Sequence, residues 1–205
     1  MAIAMTKGYS EQTAGAKLCI DLATDWGVEC INELNLESNI VFMDYGAADG
    51  GTASDFWKEV IDQSIKNKKN VEITLIGNDL YSNDNKSLID NLSVHSLENE
   101  SISTFICPGS FYDQLVPSNF IDFGFSATAM HWLNKNINSL VNHTHVLASN
   151  NQLAKNDFTE QALVDWNQIL EKRSKELKVG GKLLTVNLSR DSEDRYLGNN
   201  GGKTI

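Results

Sequence analysis

A chain of 205 residues, 41% apolar and 21% charged, is long enough to bury one ordinary globular core. Its formal charge of −10 argues against a nucleic-acid backbone or an anionic membrane as the main partner, because the long-range field repels both. No apolar run approaches the length that spans a bilayer, and "MAIAM" at the start is too short for a signal-peptide core.

Three cysteines, Cys19, Cys30 and Cys107, are odd in number and fit no metal spacing, so reduced thiols and a cytoplasmic setting are expected. In residues 11–33, Cys19, Leu22, Ala23, Trp26 and Cys30 recur at helical spacing, which predicts an amphipathic helix with that face buried. "NIVFMDYG" at 39–46 reads as a fully buried strand ending in a turn. Residues 52–66 read as a helix capped by Thr52 or Ser54, with Phe56, Val60 and Ile61 inward. "KNKK" at 66–69 is its solvated end, where lysines suit the helix dipole. "VEITLIGND" at 71–79 is a second strand, and "KSLIDNLSVH" a helix with His95 exposed. "STFICPG" and "IDFGFS" are the third and fourth strands. "AMHWLNKNI" begins another helix, and a long one covers 158–177. A Gly-Gly turn in "VGGKLLTVNLS" then leads into a fifth strand. His143 and His145 in "NHTHV" lack a third ligand and read as surface residues, not a metal site.

Strands alternating with helices predict parallel βαβ units in a doubly wound α/β sheet, one domain over residues 1–205. Ligands of such sheets bind at the carboxyl ends of the strands. Those ends are Asp44 to Gly46, Asn78 to Leu80, Pro108 to Phe111, and Phe125 to Ser126. The first turn, "DYGAADGGT", has Ala48 where a dinucleotide fingerprint needs its second Gly, and Asp49 would sit near the phosphates. No Gly-Lys-Ser/Thr follows, so a P-loop is excluded. An acid just before the first Gly suits a cofactor with an ammonium group and no phosphate, such as S-adenosylmethionine (SAM). Asp79 would then accept both ribose hydroxyls. Asp44 and Asp79 taken singly are adequate turn-formers; the two together, at adjacent strand ends beside a Gly turn, favour the cofactor.

Several stretches carry a family resemblance. "GYSEQTAGAK" at 8–17, "DYGAADGGT", "NDLYSNDNKSL", "PGSFYDQLVPSN", "SATAMHWL" and "LEKRSKELKVGGKLLTVNLSR" occur in this order. Together they resemble the SABATH family of carboxyl and N-methyltransferases, over residues 5 to 191. PGSFY and HWL are the specific motifs. The resemblance implies a Rossmann-like methyltransferase fold. It implies that Asp44 and Asp79 hold SAM, with Leu80 under the adenine and Ser110 and Phe111 flanking it. It implies that Tyr9 and Thr13, in an N-terminal segment over residues 1–35, close over the cofactor. Gly46 and Ser126, at the strand ends, complete the cofactor set, and core residues 36–190 carry it. His131 and Trp132 would touch the acceptor, with Thr128 beside them.

Two positions depart from the family. Its carboxylate-gripping Gln falls at Ala16, and the Tyr of its Ser-Ser-Tyr-Ser falls at Thr128. Both shape acceptor recognition, so the aromatic acids of the plant enzymes do not follow from the resemblance. A small-molecule carboxylate acceptor needs no general base, because it is already a nucleophile at neutral pH; orientation would supply the catalysis. The alternatives are N- or O-methylation of a neutral small molecule, or SAM binding without catalysis. The resemblance also implies two further strands and a helical cap after the fifth strand, where this sequence has only a polar tail, 191–205. A fragment with an open sheet edge is therefore expected, prone to form homodimers.

Overall fold

The computed structural model describes residues 5, 8–135, 137, 146, 151–189 and 192. Its elements are α1 (Tyr9–Gln12), α2 (Ala14–Glu33), β1 (Asn39–Tyr45), α3 (Ser54–Asn67), β2 (Glu72–Asn78), α4 (Asn85–Glu98), β3 (Ile102–Ile106), β4 (Ile121–Ala127), α5 (Gln152–Glu176) and β5 (Leu177–Val186). The five strands form one sheet in the order β3-β2-β1-β4-β5, every pairing parallel. Parallel strands must be joined by crossovers, which place helices on both faces, so β1 is apolar on both sides. Ile40 and Phe42 face one core and Met43 and Tyr45 the other. After β3 the chain crosses back to lay β4 beside β1. The strand order reverses there, and a crevice opens at the carboxyl ends.

The core under α2, α3 and α4 centres on Phe42, Phe56, Trp57, Phe123 and Phe125. The core under α5 holds Met43, Tyr45, Ile76, Tyr112 and Ile169. Phe56, Val60 and Ile61 face inward as the spacing requires.

The structure corrects several expectations. The buried stripe of α2 is Ile20, Ala23, Gly27 and Ile31, whereas Leu22 and Trp26 are exposed. The cause is Gly27: a Cβ there would lie 2.6 Å from the Phe56 ring, so the helices meet where one of them has no side chain. The helix also breaks at Thr13, between α1 and α2. Neither Thr52 nor Ser54 caps α3; its N-cap position is Ala53, with no side-chain cap bond. His95 is buried on α4, not exposed. α5 begins at Gln152, ahead of residue 158, and β5 begins at Leu177, ahead of the Gly-Gly pair, where its pairing with β4 slips from Ile121–Leu177 to Phe123–Lys182 and Gly180 takes φ +84°.

Residues 129–135 form turns instead of opening a helix. Their backbone groups are committed elsewhere: the Tyr112 hydroxyl donates to the Trp132 carbonyl (2.6 Å), and the Asn134 amide donates to Asp165 (2.8 Å). His143, His145 and, apart from residue 192, the tail 191–205 lie outside the described residues.

Candidate functional site

A pocket of about 590 Å³ lies at the carboxyl ends of β1, β2 and β4, at the reversal of strand order. β1 delivers Asp44, which is 3% exposed. The Trp57 indole N–H donates to its Oδ2 at 2.8 Å and fixes the carboxylate from the core side. Burial lifts the Asp44 carboxyl to about 7; the Trp57 bond opposes that shift and the nearby Asp79 carboxylate adds to it.

Gly46 follows in the left-handed region, φ +74°, and a Cβ there would lie 2.3 Å from the Ala129 Cβ. No other residue type lets the first turn pass the chain after β4 this closely. Ala48, at φ +52°, carries the turn onward, and its amide donates to Asp79 Oδ2 at 2.7 Å. The Leu80 amide donates to Asp79 Oδ1 at 2.7 Å. Each oxygen of Asp79 thus takes one backbone N–H and retains a lone pair toward the pocket. Burial raises its pKa, and these two bonds oppose the rise.

Asn78 locks the turns to one another. Its carbonyl accepts from the Gly46 and Ala47 amides, both at 2.9 Å, and its side-chain amide donates to the Cys107 and Gly109 carbonyls at 2.7 and 3.0 Å. Gly109, Ser110 and Phe111 are thereby placed on the wall.

Tyr9 and Thr13, from α1 and the break after it, line the opposite side. This segment is tied down next door: the Ser10 amide and hydroxyl both donate to Asp49 Oδ2, at 3.0 and 2.9 Å. Asp49 therefore anchors the N-terminal segment to the first turn. Ala16, Thr128 and Trp132 line the remaining end, where Trp132 is 58% exposed and the pocket opens to solvent. Thr128 sits at φ +51°, a strained conformation for a β-branched residue.

Ten of the twelve residues picked from the sequence meet here: Tyr9, Thr13, Asp44, Gly46, Asp79, Leu80, Ser110, Phe111, Thr128 and Trp132. The other two do not. Phe125 and Ala127 line the pocket, so strand alternation points Ser126 away from it. Ser126 is 1% exposed and donates to the Tyr45 carbonyl at 2.8 Å. His131 stacks on Trp132, with ring centroids 5.6 Å apart, but faces a neighbouring cavity of about 310 Å³ with Met130, Asp165 and Trp166.

Trp57 and Thr52 escaped the sequence reading as site residues, and Asn78, placed there at a strand end, proves to act by locking the turns together. Thr52, read there as a helix cap, has a buried hydroxyl with no hydrogen-bond partner on the pocket wall. The arrangement suits a ligand with a cation near Asp44, a diol near Asp79 and a flat apolar group between Leu80 and Phe111. Among the described residues no group of three His, Cys, Asp or Glu is placed to hold a metal, and no helix is long and apolar enough to cross a membrane.

The family model for SAM dependent carboxyl methyltransferases matches residues 6–202. The chain belongs to this family. Among curated members, a loganic acid O-methyltransferase of Catharanthus roseus is 28% identical over 199 residues, 86% of this chain and 52% of that protein. A probable jasmonic acid carboxyl methyltransferase of Theobroma cacao is 27% identical over 81% of this chain and 51% of its own length. Among solved structures, a loganic acid methyltransferase with SAH superposes with a TM-score of 0.79 at 23% identity, covering 95% of this chain and 61% of that one. That likeness establishes the SAM-methyltransferase fold. This member of the carboxyl methyltransferase family spans about half the length of the curated relatives it matches.

Proposed function

We propose that this chain binds SAM in the strand-end pocket and forms the cofactor half of an enzyme that methylates the carboxylate of a small molecule. The observation that carries the reading is the pairing of two acids on one pocket wall, Asp44 buried and Asp79 half-buried, across a Gly46 turn too tight for a Cβ. The orphaned Thr52 hydroxyl on the same wall fits a polar ligand group. SAM, when bound, supplies a methyl group on a positively charged sulfur. Asp44 faces the ammonium end, and a nearby positive charge favours its ionised form. Asp79 accepts the ribose hydroxyls with its free lone pairs, and Leu80, Ser110 and Phe111 enclose the adenine. Tyr9 and Thr13 cover the cofactor, held by the Ser10–Asp49 bonds.

At the open end, the Trp132 indole N–H donates to one oxygen of an acceptor carboxylate and leaves the other free to attack. His131 supports this wall by stacking on Trp132. The substrate acid, not the protein, is the nucleophile, so the chain's contribution is orientation, worth roughly 7–11 kcal/mol in well-placed systems. Three free thiols support a cytoplasmic setting, and β5, the outer strand of the sheet among the described residues, supports a homodimer.

Calorimetric titration with SAM and SAH tests the binding half. A methyl-transfer assay with paired carboxylic acids and neutral acceptors tests the chemistry. No binding of either nucleoside would refute the reading; binding with transfer only to a neutral acceptor would replace the acceptor class.

A further inference from the structure

Away from the pocket wall, among the described residues, Arg173 and Glu176 near the end of α5 form a completely buried charged pair, both 0% exposed. The guanidinium meets the carboxylate in a fork, Nε to Oε2 at 2.7 Å and Nη2 to Oε1 at 2.9 Å. Each partner also reaches out. Arg173 Nη1 donates to the Phe111 carbonyl at 2.6 Å, and Nη2 donates to the Asp113 carbonyl at 2.8 Å. Glu176 Oε1 accepts the Leu115 amide at 2.5 Å, and its Oε2 accepts the Tyr45 hydroxyl at 2.7 Å. The guanidinium also lies 4.4 Å from the centre of the Tyr45 ring.

Neither side chain lines the pocket. What they hold does: Phe111 is on the wall, and Tyr45 stands between Asp44 and Gly46. Residues 111–116 have no sheet or helix to satisfy their backbone; this pair takes the Phe111 and Asp113 carbonyls and the Leu115 amide, while Gln168 holds the Tyr112 carbonyl. A buried ion pair is a poor source of stability, because desolvation offsets most of the attraction. Its gain is geometry.

We propose that Arg173 and Glu176 are positioning residues for the cofactor site, acting through the 111–116 loop to hold Phe111 at a fixed separation from the β1 turn. This rests on the reading that the pocket binds SAM. The pair couples α5, the adenine-side loop and the end of β1 in a single hydrogen-bonded unit. Replacing both partners with apolar side chains should preserve folding while freeing the loop.

The test is SAH titration of the wild-type chain, an Arg173→Met/Glu176→Leu double variant, Phe111→Ala and the triple combination. Hydrogen exchange of residues 110–116 is measured on each without ligand. The double variant should retain cooperative unfolding, bind SAH at least tenfold more weakly and exchange its loop amides faster, with β1 and β2 amides unchanged. In the Phe111→Ala background the same double change should cost less than threefold, because the route to the cofactor is already cut. A purely structural role would move the unfolding midpoint and leave the two affinity losses additive, overturning the proposal. If the double variant fails to fold, Tyr45→Phe removes only the hydroxyl that Glu176 accepts. A twofold to fivefold loss of SAH affinity, absent in the Phe111→Ala background, is then expected, and unchanged affinity overturns the proposal. A wild-type chain that does not bind SAH refutes the pocket reading and this inference with it. A binding wild type with an equal double variant refutes this inference alone.

Discussion

Asp44→Asn should make the protein more stable while removing its grip on the cofactor. Asp44 is almost fully buried, and burial raises its carboxyl from 3.8 to about 7. The folded chain therefore holds this proton more tightly than the unfolded one. The associated stability is fully present below the unfolded value, declines as pH rises, and is gone once pH passes the folded value. A displacement of about three units corresponds to about 4 kcal/mol. Relaxation and water at the pocket mouth reduce this, since effective dielectrics exceed that of a dry interior, leaving about 2–4 kcal/mol. Asparagine has the same shape, no charge, and a carbonyl that can accept the Trp57 N–H now given to Asp44. Urea unfolding of the ligand-free proteins should show the variant more stable by about 2–4 kcal/mol at pH 8, with the curves converging toward pH 4. Calorimetry should show weaker SAM binding by the same variant. A variant that is destabilised at pH 8, or offset from wild type by the same amount at every pH, would refute the reasoning.

Asp79→Asn should weaken SAM by about 1–3 kcal/mol in titration, the cost of losing charge-assisted hydrogen bonds. Trp132→Ala should lower methyl transfer and leave SAM affinity close to wild type; an equal fall in both would make Trp132 a cofactor or packing residue. Gly46→Ala should destabilise by about 2–5 kcal/mol in urea unfolding, because a left-handed backbone and a clash with Ala129 add together. His95 is buried with its pKa lowered, and Glu98, Lys58 and Asp62 are the charges that face it. Its contribution is present above the ordinary imidazole value and lost as pH falls from there through the lower folded value, so His95→Leu should flatten the acid side of the unfolding profile.

Local signals made the site legible. An apolar run that ends in Asp beside Gly marks a strand, its carboxyl end and its turn within nine residues, and β1 and β2 both read correctly. The PGSFY stretch carried Ser110 and Phe111 in the same way. Information that lies far off in the chain was not legible. The buried face of α2 is shifted because Gly27 contributes nothing to an apolar count, and Phe56 fills its place from another helix. The turn at 129–135 depends on Tyr112 and Asp165, which are distant in sequence. Asp44 could be read as a ligand group, but its aiming by Trp57 could not, because the indole arrives from a helix that reads simply as amphipathic. Ser126 was recoverable: alternation with Phe125 and Ala127 assigns it to the opposite face.

Trp57 packs near Phe42, Phe56, Phe123 and Phe125, and its one polar atom aims Asp44. On the proposed reading of the pocket, interior packing and cofactor recognition thus share a single side chain. A substitution at Phe42 or Phe123 that tilts the indole by a few degrees redirects a carboxylate at the carboxyl end of the central strand, with no change at the pocket surface. Divergence within this aromatic cluster is therefore a route to altered cofactor affinity, and an engineer who wishes to repack the interior should hold the indole's orientation constant before anything else.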